Sequence, residues 1–297
     1  MRRSSALVCA LAALLSSPAV LADPPPAGPA AIVTAAPAAD WATFDANDLL
    51  VMDLAGGRRV VIALAPDFAP AHVANIRALA RAHWYDGLSV ERVQDDYVTQ
   101  WGDPDGKKPL PPELPQKLAP EYDRPAAGLA FTPLPYRDTY ADQTGAAGAF
   151  PAAESGGAAW AVHCYGSVGV GRDLNPDTGT SAELYAVIGQ SPRGLDRNIA
   201  VVGRVLSGVD ILASLPRGTA DMGFYADAGQ RIAIVQERLA ADLPANDRPS
   251  YQYLKPSSAS YAAWIAAKAH RQDTFFLRAP GAVDVCNAIP PVRPTPR

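Results

Sequence analysis

Cysteine and histidine are scarce. The chain has 297 residues but only three cysteines and four histidines. These few residues show no spacing suited to a structural zinc site or another metal cluster. Basic residues are not in excess. The formal net charge is -4, which removes the electrostatic footprint expected of a nucleic-acid binder. No run beyond the first fifteen residues is long and apolar enough for a membrane helix, so no stable membrane insertion is expected. Nor is there a glycine loop of the phosphate-cradling kind. Gly166, Gly169 and Gly171 resemble one only superficially.

The composition is otherwise that of a globular protein, about half apolar and a fifth charged. Proline is abundant, with 29 residues. At the N-terminus, Arg2 and Arg3 precede the short apolar run Ala6 to Leu15, and Val20-Leu21-Ala22 offers small residues before Asp23. This order reads as a secretory signal cleaved after Ala22, placing the chain in the periplasm or outside the cell. A buried N-terminal helix is the alternative. Cleavage removes Cys9 and leaves Cys164 and Cys286. Two cysteines in an oxidising compartment allow one intramolecular bridge. It closes a loop of more than a hundred residues, worth roughly 4 to 5 kcal/mol in the chain-entropy view. Two separate buried thiols are the other possibility.

Residues 23–40 are rich in Pro and Ala and read as a flexible leader, with order expected from Trp41 onward. Leu49 to Leu54 and Val60 to Leu64 flank Gly56-Gly57 as a hairpin. Val73, Ile76, Leu79 and Ala80 recur at helical spacing between Ala71 and His83. Short strand-like runs follow at 87–93, 97–100, 166–171, 184–188, 199–205 and 232–235, with a short helix at 209–215. Such a succession, without βαβ alternation, predicts a mainly β fold: an antiparallel barrel or sandwich with helical caps. Residues 105–160 are crowded with Pro and Gly and read as a long irregular insertion. Ser257 to Arg271 reads as a further helix in a C-terminal extension spanning 243–297.

Several fragments then align in order. Ala69-Pro70-Ala71-His72-Val73-Ala74-Asn75, Trp84-Tyr85-Asp86-Gly87-Leu88, Val90-Glu91-Arg92-Val93, Gln100-Trp101-Gly102-Asp103, Leu195-Asp196 and Val201-Val202-Gly203-Arg204-Val205 together resemble the cyclophilin-type peptidyl-prolyl isomerases over most of residues 48–240. The resemblance implies a closed antiparallel barrel for residues 41–242 and isomerisation of X-Pro bonds without cofactor or metal. Its partners are then proline-containing segments of unfolded or maturing exported proteins. It also implies that Arg92 acts on the prolyl bond, with Gln100 orienting substrate and guanidinium. Tyr97, Val98, Glu183, Tyr185, Leu195, Ile199 and Val202 fall at positions that line the family's substrate pocket.

Chemistry agrees with this assignment. The X-Pro barrier of about 18 to 20 kcal/mol comes from amide resonance, so no bond is broken and no nucleophile is needed. A guanidinium keeps its charge and offers several donors in a rigid fork. The departures from the family pattern are specific. Glu91 replaces a His and is expected to tether Arg92 or reduce its availability. Asp95-Asp96 replaces a Pro-Gly turn, Trp101 a Gly, and Gly194 a Trp found in many members. The site is therefore expected to be less aromatic than usual, and a non-catalytic peptide-binding or assembly protein on the same fold is the second reading. A thiol site at His163-Cys164 is outweighed by a disulfide role for Cys164, with His163 structural or on the surface.

Overall fold

The computed structural model describes residues 28–103, 106–271, 273 and 275–296. The expected signal peptide, Cys9 and the first part of the leader lie outside the described residues.

In chain order, helix α1 (Pro29–Ala35) is followed by strands β1 (Trp41–Thr43), β2 (Leu49–Leu54) and β3 (Arg58–Leu64), helix α2 (Pro70–Arg81), and strands β4 (Ser89–Val93) and β5 (Val98–Gly102). Five short strands come next: β6 (Arg124–Pro125), β7 (Phe131–Pro133), β8 (Gln143–Ala147), β9 (Phe150–Ser155) and β10 (Ala158–Ala161). Then follow β11 (Ser167–Val170), β12 (Leu184–Val187), β13 (Val201–Ser207), α3 (Val209–Ser214), β14 (Ile232–Leu239), β15 (Tyr251–Leu254), α4 (Ala259–Ala269) and β16 (Val292–Pro294).

The expected barrel is present. Its strands close in the order β11-β12-β5-β4-β14-β2-β3-β13, all in antiparallel pairs. Leu50, Met52, Val60, Ile62, Leu64, Val168, Val170, Leu184 and Val202 fill its interior. The β-branched and Leu side chains stand on alternate positions of these strands, as a half-buried pleated surface requires. Helix α2 seals the interior with Val73, Ile76 and Ala80. Its N-terminal residue offers no side-chain cap. Instead the Glu121 carboxylate accepts from the backbone N–H groups of Ala71 and His72, both at 2.9 Å. An anion placed there satisfies orphan donors and complements the helix dipole.

Two expectations are corrected around the barrel. Residues 105–160 are not irregular throughout: strands β6 to β10 make a five-stranded sheet in the order β6-β10-β9-β8-β7. One face, with Ala147, Ala152 and Ala161, packs on Ala65, Phe68 and Val201 of the barrel. The other face, with Ala153 and Trp160, packs on Tyr261, Trp264 and Ile265 of α4. Neighbouring residues alternate faces, so Ala152 meets the barrel and Ala153 the extension. The leader is the second correction. Residues 29–35 form α1, and Ile32, Val33 and Ala36 join the cluster that holds Trp264 and Ile265. Strand β1 pairs with β15, which pairs with β16, so Trp41–Thr43 belongs with the extension rather than with the barrel. The apolar surface that a Pro/Ala segment lacks is supplied by its partner.

The expected bridge joins Cys164 to Cys286 across a sequence separation of 122. It fastens the extension just ahead of β11.

Candidate active site

A row of facing residues crosses four adjacent barrel strands. Arg92 of β4 opposes Gln100 of β5, Gln100 opposes Tyr185 of β12, and Tyr185 opposes Gly169 of β11. The β4–β5 ladder shifts register between Val90 and Arg92. That bulge leaves Val90 and Glu91 both buried and turns Arg92 toward the cleft, the usual local effect of an extra residue. The open cleft encloses about 650 Å³ and is lined by Arg92, Tyr97, Val98, Gln100, Glu183, Tyr185 and Ile199, among others.

Arg92 is held from three sides. Its Nε donates to the Met222 carbonyl at 2.7 Å, one Nη to Gln100 Oε1 at 3.1 Å, and the other Nη to Gln94 Oε1. The guanidinium also lies over the rings of Tyr97 and Phe224, at 5.5 and 5.4 Å, a favourable placement for a cation. Burial lowers its pKa against smaller opposing effects from Tyr97 and Glu91, and the group stays charged. Gln100 is fixed at both ends, since its Nε2 donates to Glu183 Oε2 at 2.7 Å. Burial, followed by the nearby Asp173, Asp103 and Asp177 charges, pushes the Glu183 carboxyl up against the effect of that hydrogen bond.

Beside this polar row lies an apolar patch of Val98, Tyr185 and Val187, with Tyr97 and Ile199 packed against it. A ring-sized apolar group fits such a surface, next to a charged donor.

The structure therefore brings together Arg92, Gln100, Tyr97, Val98, Glu183, Tyr185 and Ile199. It does not bring in Val202 or Leu195. Val202 is fully buried in the barrel core, because alternation along β13 turns it inward. Leu195 ends the short turn Arg193–Leu195, which is tied to Asp138 of the insertion through Arg193; it does not line the cleft. Nor does Glu91 tether Arg92. Its carboxyl is fully buried and meets no hydrogen-bond donor among the described residues, while Asp95 pairs with Arg217 at 2.8 Å.

Three contributors escape the sequence reading. Gln94 follows β4 directly, two residues from Arg92, and an extended spacing of two carries the signal that their side chains share a side. Met222 and Phe224 come from a loop some 130 residues away, for which no local signal exists. That loop needs Gly223 at φ +80, where a Cβ would fall 2.6 Å from the Gln94 Cα. Phe224 also gives the cleft an aromatic wall, although Gly194 stands where many family members carry a Trp. Cys164 is bridged, so the thiol site is excluded.

Fold and site together define a closed-barrel domain with a surface cleft that sets a guanidinium and an amide beside an apolar patch. Residues 49–236 match the family described as cyclophilin type peptidyl-prolyl cis-trans isomerase/CLD, and the chain belongs to that family. A probable peptidyl-prolyl cis-trans isomerase of Brucella suis biovar 1 is 25% identical over 175 residues, covering 59% of this chain and 74% of that protein. Its counterpart in Brucella melitensis biotype 1 gives the same figures. Among solved structures, the cyclophilin AquaCyp293 from Hirschia baltica superposes with a TM-score of 0.64 at 25% identity, over 81% of this chain and 92% of that one.

Proposed function

We propose that this chain isomerises X-Pro bonds in unfolded or maturing exported proteins, with Arg92 as the catalytic residue. The observation that carries the reading is the Arg92–Gln100 pair set directly beside the Val98–Tyr185–Ile199 patch. The patch holds the prolyl ring. Arg92 hydrogen-bonds to the prolyl group and favours the twisted amide over the resonance-stabilised planar one. A guanidinium has five donors. Three are engaged by Met222, Gln100 and Gln94, which leaves two for substrate. One charged hydrogen bond is worth roughly 1.5 to 3 kcal/mol, or one to two decades of rate. Ring burial and positioning supply the rest.

The Cys164–Cys286 bridge supports action in an oxidising compartment, the periplasm or the exterior, and the N-terminal segment reads the same way. Clients there are chain segments rather than nucleic acid or membrane.

One observation favours a second reading, a peptide-binding protein with little catalysis: Arg92 is already held by three protein acceptors. A protease-coupled or NMR exchange assay on a short X-Pro peptide separates the two. Catalysis is expected, and Arg92→Ala is expected to lose about ten- to a hundredfold of kcat/KM. Binding without acceleration, or an Arg92→Ala variant with undiminished rate, overturns the enzymatic reading.

A further inference from the structure

Tyr185 forms one wall of the cleft, and its hydroxyl is engaged by a buried partner. It meets His163 Nε2 at 2.9 Å, and the two rings stack with centroids 6.3 Å apart. His163 is fully buried. Asp196 Oδ1 accepts from both the backbone N–H and Nδ1 of His163, at 2.9 and 3.0 Å. Asp196 Oδ2 accepts from Arg193 Nε at 2.7 Å, and Arg193 reaches both oxygens of Asp138 in the insertion at 2.9 Å. Burial pushes the Asp196 carboxyl up, but the hydrogen bonds from His163 and Arg193 outweigh it and hold the carboxyl below its usual range.

An ionised Asp196 can only accept, so His163 Nδ1 carries a proton. In the neutral ring Nε2 is then the acceptor, and the Tyr185 hydroxyl donates to it. The ring can lie this way only over glycine: a Cβ at Gly169 would stand 2.3 Å from the Tyr185 hydroxyl oxygen. Packing alone does not require a hydroxyl, since a phenylalanine fills the same area. The hydroxyl, His163, Asp196 and Gly169 make sense together as a device that fixes one ring orientation.

The geometry points to His163 as a positioning residue of the cleft, which, oriented by Asp196, locks the Tyr185 ring as the wall against which the substrate proline packs. It rests on the isomerase reading above. His163 touches no substrate. It transmits the order of the inserted sheet, through Asp138, Arg193 and Asp196, to the pocket wall.

The test measures isomerisation and binding of a blocked Ala-Ala-Pro-Phe peptide by wild type, Tyr185→Phe, His163→Gln and the double variant. Each single variant is expected to raise KM and the peptide Kd about three- to tenfold, with kcat nearly unchanged. The double variant is expected to do no worse than the larger single, because both remove one interaction. Tyr185→Phe removes only a hydroxyl and keeps the fold testable if His163→Gln does not. In wild type, the His163 Nε2 resonance in ¹⁵N NMR is expected to move when the peptide saturates the cleft, and to lose this response in Tyr185→Phe. Variants that melt earlier but keep KM, Kd and the peptide response of His163 overturn the proposal and leave a core hydrogen bond only. An active wild type with unaffected variants overturns it without touching the isomerase reading. A wild type that neither binds nor isomerises the peptide overturns both.

Discussion

The barrel and the layer wrapped around it are built from different residues for the same purpose. Barrel strands bury Leu, Ile, Val and Met in a single interior. The five-stranded sheet of the insertion buries Ala on both faces, against the barrel on one side and the extension on the other. Methyl groups at Ala147, Ala152, Ala153 and Ala161 let the sheet lie close to both bodies, with Trp160 a large buried side chain on the extension side. Large side chains make the barrel self-sufficient. The layer gains its burial only by touching both neighbours, so its stability depends on the extension staying in place.

The Cys164–Cys286 disulfide cross-links the extension to the chain just ahead of β11, and breaking it is expected to have a large effect. Replacing both cysteines by Ala is expected to cost about 2 to 4 kcal/mol. The loss should fall on the layer and not on the barrel. Hydrogen exchange is expected to rise in β8, β9, β10 and α4 while β2, β3 and β13 keep their protection. A single cooperative loss of both regions at once would show that the two are one folding unit and the contrast is only compositional.

A second probe uses size. Ala152 has no exposed surface and faces Phe68, Ala65 and Val201. Enlarging it, as in Ala152→Leu, pushes the sheet off the barrel and is expected to cost about 1 to 3 kcal/mol. Thermal or urea unfolding checks this. A neutral outcome would mean that the contact is loose and that Ala is there for another reason.

The same contrast explains what the sequence discloses. The barrel is legible because Leu49 to Leu54 and Val60 to Leu64 carry apolar β-formers around a Gly-Gly turn, and because the Arg92, Gln100 and Val201–Val205 fragments keep family order. Arg92, Gln100, Tyr97, Val98, Glu183, Tyr185 and Ile199 converge as that order implies. The layer is not legible. Thr144-Gly145-Ala146-Ala147 and Pro151-Ala152-Ala153 have low strand propensity, and nothing local says that α4 and the barrel cover them. Helix α1 is hidden likewise, since Pro29–Ala35 lacks the apolar surface to fold without Trp264 and Ile265. Val202 fails for a different reason: a position shared with a pocket-lining residue does not fix which way a side chain turns. The Met222–Phe224 loop and the His163–Asp196 pair need the tertiary structure outright.

The last effect lies inside the barrel and sharpens the comparison from the other side. Apolar filling makes the barrel strong, but it also encloses two carboxyls. Burial, with Glu183 next, raises the pKa of Glu91 to about 9. Burial raises that of Glu237 to about 8. Both groups are therefore protonated in the folded chain at pH values where the unfolded chain, near 4.5, has released its proton. Between about pH 4.5 and 8 to 9 the native state binds more protons than the unfolded state, so stability falls as pH rises through this window. The thermal midpoint is expected to be higher near pH 5 than near pH 8, opposite to the trend given by the ion-paired Asp53 and Asp138, whose pKa values are lowered. Those groups act only below about pH 4. Glu91→Gln keeps the shape and removes one titration. It is expected to raise the midpoint at pH 8 and to leave it nearly unchanged at pH 5, which flattens the slope. A Glu91→Gln variant with the wild-type slope would place the titration elsewhere. A wild-type midpoint that climbs from pH 5 to pH 8 would mean that both carboxyls are ionised inside the barrel, and that its interior is more polar than its wall of Leu, Ile and Val implies.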